Sequence, residues 1–133
     1  NVNSVEAQRK AFELMLQLAE KGNEKAQMQI GLMYIFANGT VTNHQEGYFW
    51  LKESALQGFE PAQRNLGSLY IQGIGKDPDP ALSYAWLTIA SASAEEEPEE
   101  NKQIKKTLNS QELELAATLA VELRALIQDR SDK

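Results

Sequence analysis

A ten-residue segment that occurs twice constrains the fold of this chain more than any other feature. Residues 26–35 read AQMQIGLMYI, and 36 positions later residues 62–71 read AQRNLGSLYI. When residues 19–54 are aligned with residues 55–90, twelve of the 36 pairs are identical, whereas average residue usage would give about two. Self-similarity at a fixed period of this size is typical of solenoids, so we predict a repeat protein.

The repeated segment has the periodicity of an α-helix. Four apolar residues fall at positions i, i+4, i+7 and i+11, which places on one helix face Ala26, Ile30, Met33 and Ala37. Gly31 lies in the interior of this helix, where glycine costs about 1 kcal/mol relative to alanine. Because that cost is repeated at Gly67, we predict that another helix crosses here too closely to leave room for a side chain.

A second helix in each repeat carries a tryptophan at the same register position, Trp50 and Trp86. We expect these rings to fill the space between helical layers, where truncation of a buried tryptophan to alanine costs about 3–5 kcal/mol.

Capping residues and apolar runs predict about seven helices. The expected N-caps are Asn3 (with Glu6 as its capping-box partner), Asn23, Asn43 (with Glu46), Asp79 and Asn109 (with Glu112). The expected helices run over about Ser4–Lys21, Glu24–Ala37, Asn43–Gln57, a segment from Pro61 in its first turn to Gln72, Pro80–Ala92, Asn101–Leu108 and Ser110–Asp129.

The repeat resembles the Sel1-like repeat family, which is related to the tetratricopeptide type. Both copies contain the family core Gly-x-x-x-Ala-Gln-x-x-[Ile/Leu]-Gly-x-x-Tyr, and the period of 36 differs from the tetratricopeptide period, which is about 34. This resemblance implies an all-α fold, a right-handed superhelical solenoid of antiparallel helix pairs. The expected organisation is a single domain with an N-terminal capping helix (1–22), repeat 1 (23–58), repeat 2 (59–94) and a degenerate repeat with a C-terminal capping helix (95–133).

Composition limits the kinds of chemistry that the chain can perform. The net charge of −6 argues against nucleic acid and anionic membranes as main partners. One histidine, His44, and no cysteine exclude the usual nucleophile–base triads and most zinc sites. There is no apolar run long enough for membrane insertion. We therefore expect no catalytic, cofactor-binding or metal-binding residues, and no enzyme activity.

The candidate binding residues lie on the first helix of each repeat. In helical solenoids these helices line a concave face, and a stripe outside the core differs between the two repeats. In the first repeat the stripe comprises Lys25, Gln29, Leu32 and Phe36, and in the second Pro61, Asn65, Ser68 and Gln72. Side-chain amides can donate to and accept from a peptide backbone, and Leu32 and Phe36 offer an apolar anchor. Alternatively, Leu32 and Phe36 pack against the N-terminal helix.

The C-terminal third departs from the repeat. The run Glu95–Glu100 is interpreted as a solvated loop with a short helix, and a site for a cation or a basic partner stays open as an alternative. The last helix has an inner apolar stripe of Leu113, Ala116, Ala120, Leu123 and Ile127. Its outer stripe of Leu115, Leu119 and Leu126 is more apolar than solvent contact requires, so homo-oligomerisation through this helix is a further hypothesis.

The family resemblance implies a non-catalytic protein–protein interaction module, either an adaptor or scaffold or a toxin-neutralising protein, that binds a protein or peptide in the concave groove. The alternative is a hydrolase of the β-lactam-binding type described for cysteine-rich relatives. This chain lacks their paired cysteines and has no Ser-x-x-Lys motif. The resemblance also implies a bacterial protein of the periplasm or cell envelope, with a cytoplasmic location left open. Because the chain begins at Asn1 and not at methionine, we expect a processed or trimmed product.

Overall fold

The computed structural model describes residues 2–133 and is all-α. Seven helices and no strand are present in this range, which confirms the predicted fold class and helix number. The helices are α1 (Val2–Glu20), α2 (Glu24–Ile35), α3 (His44–Leu56), α4 (Glu60–Gln72), α5 (Pro80–Ala90), α6 (Glu99–Lys105) and α7 (Ser110–Ser131). The chain divides between Ala62 and Gln63 into two compact units.

The starts of the helices follow the capping residues in all but one of the predicted cases. Asn23, Asn43 and Asp79 each accept a hydrogen bond from the backbone N–H three residues later. At α7 the full capping box forms, because Asn109 Oδ1 accepts from the Glu112 N–H at 2.8 Å and Glu112 Oε1 accepts from the Asn109 N–H at 2.9 Å.

The predicted N-cap at Asn3 is wrong, since α1 begins at Val2 and Asn3 lies inside it. A single capping preference does not determine a helix end to better than one or two residues.

The end of α2 also differs from the prediction. The helix stops at Ile35, and Ala37 has a left-handed backbone with φ of 55°. The Asn38 N–H donates to the Met33 carbonyl at 2.9 Å, which is the Schellman hydrogen bond of a helix terminus. Ala37 is therefore exposed and does not belong to the apolar helix stripe. The second repeat has glycine, Gly73, at the aligned position, with φ of 70°.

The core of the first unit lies between α1 and the helix pair α2–α3. Its centre is formed by Ala19, Ala26 and Ile30, whose exposed fractions are 1%, 3% and 0%. Six partly buried apolar residues pack against this centre: Phe12, Met15, Leu16, Met33, Tyr34 and Trp50. The helix α1 thus contributes Phe12, Met15, Leu16 and Ala19 to this core.

The crossing of α2 and α3 explains the glycine inside the helix. A Cβ placed on Gly31 would lie 2.7 Å from Leu51 Cγ and 2.8 Å from the Gly47 carbonyl oxygen, both closer than van der Waals contact allows. In the second unit a Cβ on Gly67 would lie 2.6 Å from Leu87 Cγ. The predicted close helix crossing is thus confirmed in both repeats.

The repeated glutamine of the Ala-Gln pair is a buried structural residue. Gln27 is 6% exposed, and its Nε2 donates to the Ala19 carbonyl near the end of α1 at 3.1 Å. Its Oε1 accepts from Gln57 Nε2 at 2.7 Å, and the same Gln57 amide donates to the Gly22 carbonyl at 2.9 Å. One polar side chain therefore connects the C-terminal ends of α1 and α3 to the start of α2.

In the second unit α5 packs against α6 and α7. The inner stripe of α7 faces inward, with Ala116, Ala120 and Leu123 at most 7% exposed. The outer stripe carries Leu115 at 51% and Leu126 at 48% exposure. These exposures confirm that α7 has a buried inner stripe and a second, exposed stripe that carries apolar residues.

Candidate functional site

The predicted binding stripe of the first unit is accessible on α2. Gln29 and Leu32 are half-buried, whereas Lys25 is exposed. Phe36 is the C-cap residue of α2, and its exposed fraction of 62% leaves most of the ring in solvent.

The equivalent residues of the second repeat all lie on α4, and three of the four are polar. Asn65 and Ser68 are half-buried, and Gln72 is exposed. Ser68 Oγ donates to Glu100 Oε1 over a long distance of 3.5 Å. Pro61 lies in the first turn of the same helix. The α4 stripe thus offers hydrogen-bonding groups without an apolar anchor.

An open cleft in the first unit was not found by sequence reasoning. It has a volume of about 580 Å³ and lies between α1 and the loop that follows α2. Its lining comprises Val5, Gln8, Arg9, Phe12, Glu13, Ala37, Gly39, Thr40 and Val41. The only available signal was an apolar residue, Val41, between two threonines in a polar loop, and such isolated residues are too common to indicate a site.

Ala37, which lines the cleft, is the residue after Phe36 in the sequence. Two of its apolar side chains are strongly exposed, Val5 at 65% and Val41 at 80%. The loop is held close to α1, since a Cβ on Gly39 would lie 2.7 Å from the Gln8 carbonyl oxygen. The lining of the cleft thus combines apolar surface with the polar groups of Arg9 and Glu13.

Two residues of the acidic run Glu95–Glu100, Glu97 and Glu99, accept hydrogen bonds from other side chains of the fold. Tyr84 Oη donates to a carboxylate oxygen of Glu97. Burial of the ring and, after it, this hydrogen bond raise the pKa of Tyr84 to about 12, so the phenol stays protonated and able to donate at neutral pH. Glu99 Oε1 accepts from Gln103 Nε2 at 2.7 Å within α6. These contacts favour the interpretation of the run as a loop with a short helix.

Asn101 anchors α6 to the end of α5. It is 1% exposed, and its Nδ2 donates to the Leu87 carbonyl at 3.1 Å and to Ser91 Oγ at 3.0 Å. Its Oδ1 is buried without a hydrogen-bond partner. A polar cavity of about 190 Å³, which includes Glu96 and Arg124 in its lining, adjoins this side chain.

Potential metal ligands are not clustered in the part of the chain that the structure describes. Within residues 2–133 no set of three or more histidine, cysteine, aspartate or glutamate side chains could hold a metal ion. His44 is half-buried at the first position of α3. In the part of the chain that the structure describes, none of the helices combines the length and apolar character needed to cross a membrane.

Comparison with protein families explains the repeated helix pairs. The model of the Sel1 repeat matches residues 5–23, 24–59 and 60–94, more than half of the chain. The chain belongs to the Sel1 repeat family. Sel1 repeats commonly serve as protein-interaction modules, and their fold is typically a non-catalytic scaffold. Both the glycine crossings and the buried glutamine described above lie within the matched repeats.

A solved structure shows the same architecture. The chain is similar to a protective antigen present in uropathogenic Escherichia coli strains, whose crystal structure displays an SLR (Sel1-like repeat) fold, with a TM-score of 0.79 and 28% sequence identity. The match covers 86% of this chain and 25% of that protein, so this chain spans about a quarter of its length. No curated protein sequence matches the chain significantly.

Proposed function

We propose that this Sel1 repeat chain is a non-catalytic protein-interaction module and that a protein or peptide partner binds the face of α2 around Phe36 and the adjoining cleft. The exposure of Phe36 carries this proposal. The aligned residue of the second repeat is the exposed Gln72, so the fold itself does not require an aromatic residue at this position. A large aromatic side chain that packing does not require is typical of an interface anchor.

The surroundings of Phe36 indicate the chemistry of the partner. Leu32 adds apolar area on the same face of α2, and the amide of Gln29 can bond to a peptide backbone. The cleft supplies further apolar surface at Val5 and Val41, beside one cationic and one anionic side chain. We infer a partner segment that inserts aliphatic or aromatic side chains and carries a few polar groups around them.

Replacement of Phe36 with glutamate is expected to abolish retention of the partner. A charge at this position removes the apolar anchor and must be desolvated on binding. Wild-type protein and the Phe36→Glu variant serve as baits for native extract, and the retained proteins are identified by mass spectrometry. Because Phe36 is exposed, helicity measured by circular dichroism should be unchanged.

Phe49→Glu is the matched control, since Phe49 is also an exposed phenylalanine, at 50%, and lies on α3. A partner retained by wild type and by Phe49→Glu but lost by Phe36→Glu supports the proposed surface. Equal retention by all three proteins contradicts it. The identity of the partner also separates an adaptor from a toxin-neutralising role.

Two further proposals concern the residues of α4 and the location of the protein in the cell. Asn65, Ser68 and Gln72 are candidate contacts within the second unit. A location in the bacterial periplasm or cell envelope rests on the family resemblance and is tested by fractionation of native cells. No observation on the described residues supports the β-lactam hydrolase alternative.

The outer stripe of α7 is a candidate self-association surface. If it mediates a homo-oligomer, sedimentation velocity at increasing concentration should show a larger species that the Leu115→Glu/Leu126→Glu variant does not form. Both leucines are about half exposed, so the double variant should keep its fold. A wild-type protein that stays monomeric at high concentration contradicts the hypothesis.

A further inference from the structure

The loop between α2 and α3 contains a residue pair that can react with itself, Asn38 and Gly39. Asn38 is the only asparagine in the chain that is followed by glycine. The backbone nitrogen of the following residue can attack the side-chain amide of an asparagine, and glycine has no Cβ to hinder the approach or to restrict the backbone rotation that it needs. Whether the reaction occurs in a folded protein depends on how the fold holds the two residues.

The repeat requires the glycine of this pair but not the asparagine. Gly39 has φ of 84° and the aligned Gly75 has φ of 75°, a left-handed conformation that favours glycine. A Cβ on Gly39 would also lie 2.7 Å from the Gln8 carbonyl oxygen. The residue before Gly75 is Ile74, so the fold does not need a side-chain amide at this position. Asn38 is therefore a feature of the first repeat alone.

Both reacting groups are uncommitted in the part of the chain that the structure describes. Asn38 is exposed, and its side chain makes no hydrogen bond with any of residues 2–133. Its backbone N–H donates to the Met33 carbonyl, which holds the main chain but not the side chain. The Gly39 N–H has no acceptor within the same range. The side chain of Asn38 can therefore rotate its Cγ toward a backbone nitrogen that bonds to nothing else.

The other asparagines within residues 2–133 are held in ways that hinder this reaction. Three lie inside helices: Asn3, Asn65 and Asn101. A helical side chain leans toward the N-terminus of its helix and away from the nitrogen of the next residue. Three are N-caps whose Oδ1 accepts a hydrogen bond from the backbone N–H three residues later: Asn23, Asn43 and Asn109. That bond fixes the side chain in the capping position.

We propose that Asn38 is a site of spontaneous deamidation, which places a carboxylate in the loop that lines the cleft. The Gly39 nitrogen loses its proton to solvent base and attacks Asn38 Cγ. A bond forms between this nitrogen and Cγ, and the bond from Cγ to Nδ2 breaks. The leaving group takes up a proton from solvent and departs as ammonia, so residues 38 and 39 are joined in a cyclic imide.

Water then opens the imide in one of two ways. Attack at Cγ breaks the new bond to the Gly39 nitrogen and gives aspartate with an unchanged main chain. Attack at the main-chain carbonyl carbon of residue 38 breaks the original peptide bond and leaves the chain connected through Cγ, as isoaspartate. In both cases one amide and one water become one carboxylate and one ammonium ion at neutral pH.

The product changes the loop in charge and in length. The new negative charge lies in the sequence between Ala37 and Gly39, two residues of the cleft lining. A charge must be desolvated when an apolar side chain packs against it, so deamidation is expected to weaken binding of the partner. The isoaspartate form also adds one carbon atom to the main chain. The effect on binding rests on the proposed function, whereas the chemical step does not.

The chemical step is tested by incubating the intact protein in ¹⁸O-labelled water, at neutral and at alkaline pH. The protein is then digested with trypsin in ordinary water, so that deamidation during digestion adds no label. Tryptic peptides 26–52 and 107–124 contain Asn38 and Asn109, and fragment-ion mass spectrometry locates the label. We expect residue 38 to gain one ¹⁸O atom in place of its amide nitrogen. The rate should rise with pH, because the deprotonated Gly39 nitrogen is the nucleophile.

Asn109 is the matched internal control. It is also exposed and precedes the small residue Ser110, but its Oδ1 accepts from the Glu112 N–H at 2.8 Å. Label should accumulate at residue 38 at least about tenfold faster than at residue 109, because glycine leaves the attacking nitrogen unhindered. The Asn38→Gln variant should gain no label at residue 38 on this timescale, since its longer side chain closes the ring less readily.

A synthetic peptide of residues 34–44 gives the rate of the same reaction without the fold. Because the fold leaves both reacting groups uncommitted, the protein and the peptide should both take up label at Asn38. Three outcomes overturn the proposal: no label at residue 38, equal labelling of Asn38 and Asn109, or labelling of Asn38 in the peptide but not in the protein.

The effect on binding is tested with the Asn38→Asp variant as bait for native extract, beside wild type and the Phe36→Glu variant. The Asn38→Asp variant should retain less of the partner than freshly prepared wild type does. Retention equal to that of wild type contradicts the effect on binding. Because label uptake is measured without a partner, a failure of the proposed function at Phe36 is distinguished from a failure of deamidation at Asn38.

Discussion

Replacement of Trp86 with alanine is expected to lower the free energy of unfolding by about 3–5 kcal/mol. Trp86 is 1% exposed on α5 and is one of the largest fully buried side chains among residues 2–133. Its removal leaves a cavity that the neighbouring helices cannot fill without moving apart, so the lost transfer free energy and the cavity term add. Urea denaturation followed by circular dichroism at 222 nm measures the change.

Trp50→Ala is the matched control, because Trp50 occupies the aligned position in the first repeat. It is half-buried on α3, where its ring makes an edge contact with Phe49 at a centroid distance of 5.1 Å. Its truncation should cost about 1–3 kcal/mol, in proportion to the smaller area removed from water. Equal losses for the two variants would contradict the difference in burial. Because the chain has two compact units, a second probe, the fluorescence of the remaining tryptophan, tests whether they unfold together.

Gly31→Ala is expected to destabilise the protein by up to about 2 kcal/mol, although alanine is the better helix former. Helix propensity alone would stabilise the variant by about 1 kcal/mol, but overpacking a close crossing costs about 1–3 kcal/mol. The nearest obstacles are Leu51 Cγ at 2.7 Å and the Gly47 carbonyl oxygen at 2.8 Å. A backbone oxygen cannot rotate away as a side chain can, so α2 and α3 must separate.

Gly67→Ala is the comparison for this prediction. Its three nearest obstacles are all side-chain atoms of Leu87, the closest at 2.6 Å. A leucine can change rotamer, so the loss of stability should be smaller than at Gly31. Thermal and urea denaturation of both variants measure the two losses. A Gly31→Ala protein at least as stable as wild type would show that the crossing of α2 and α3 is not limited by close contact.

Interactions between residues close in sequence determined most of the features that were predicted correctly. The spacing of apolar residues such as Ala26 and Ile30 indicates the helical period. The duplicated segment indicates that one supersecondary unit occurs more than once. The N-caps at Asn23, Asn43, Asp79 and Asn109 bond to a backbone N–H three residues away. Such a contact forms wherever the helix begins, so the sequence was sufficient to predict it.

Predictions from the local sequence pattern failed where contacts with other helices and loops determine the conformation or role of a residue. Ala37 has helix propensity but adopts a left-handed backbone, because the loop after it turns back to α1. The glutamine of the Ala-Gln pair was identified as repeated, but its function as a buried link between three helix ends requires the positions of all three.

The candidate surfaces also depend in part on the sequence and in part on the tertiary structure. The sequence by itself determined which residues share a face of α2 and which residues of α1 align with those of α3 and α5. Only the tertiary structure decided which of these faces are covered: Trp86 is buried and Leu14 is exposed at the same register position. The physical reason is that a helix face is buried only when another element packs against it, and on α3 and α5 that element is the first helix of the same repeat.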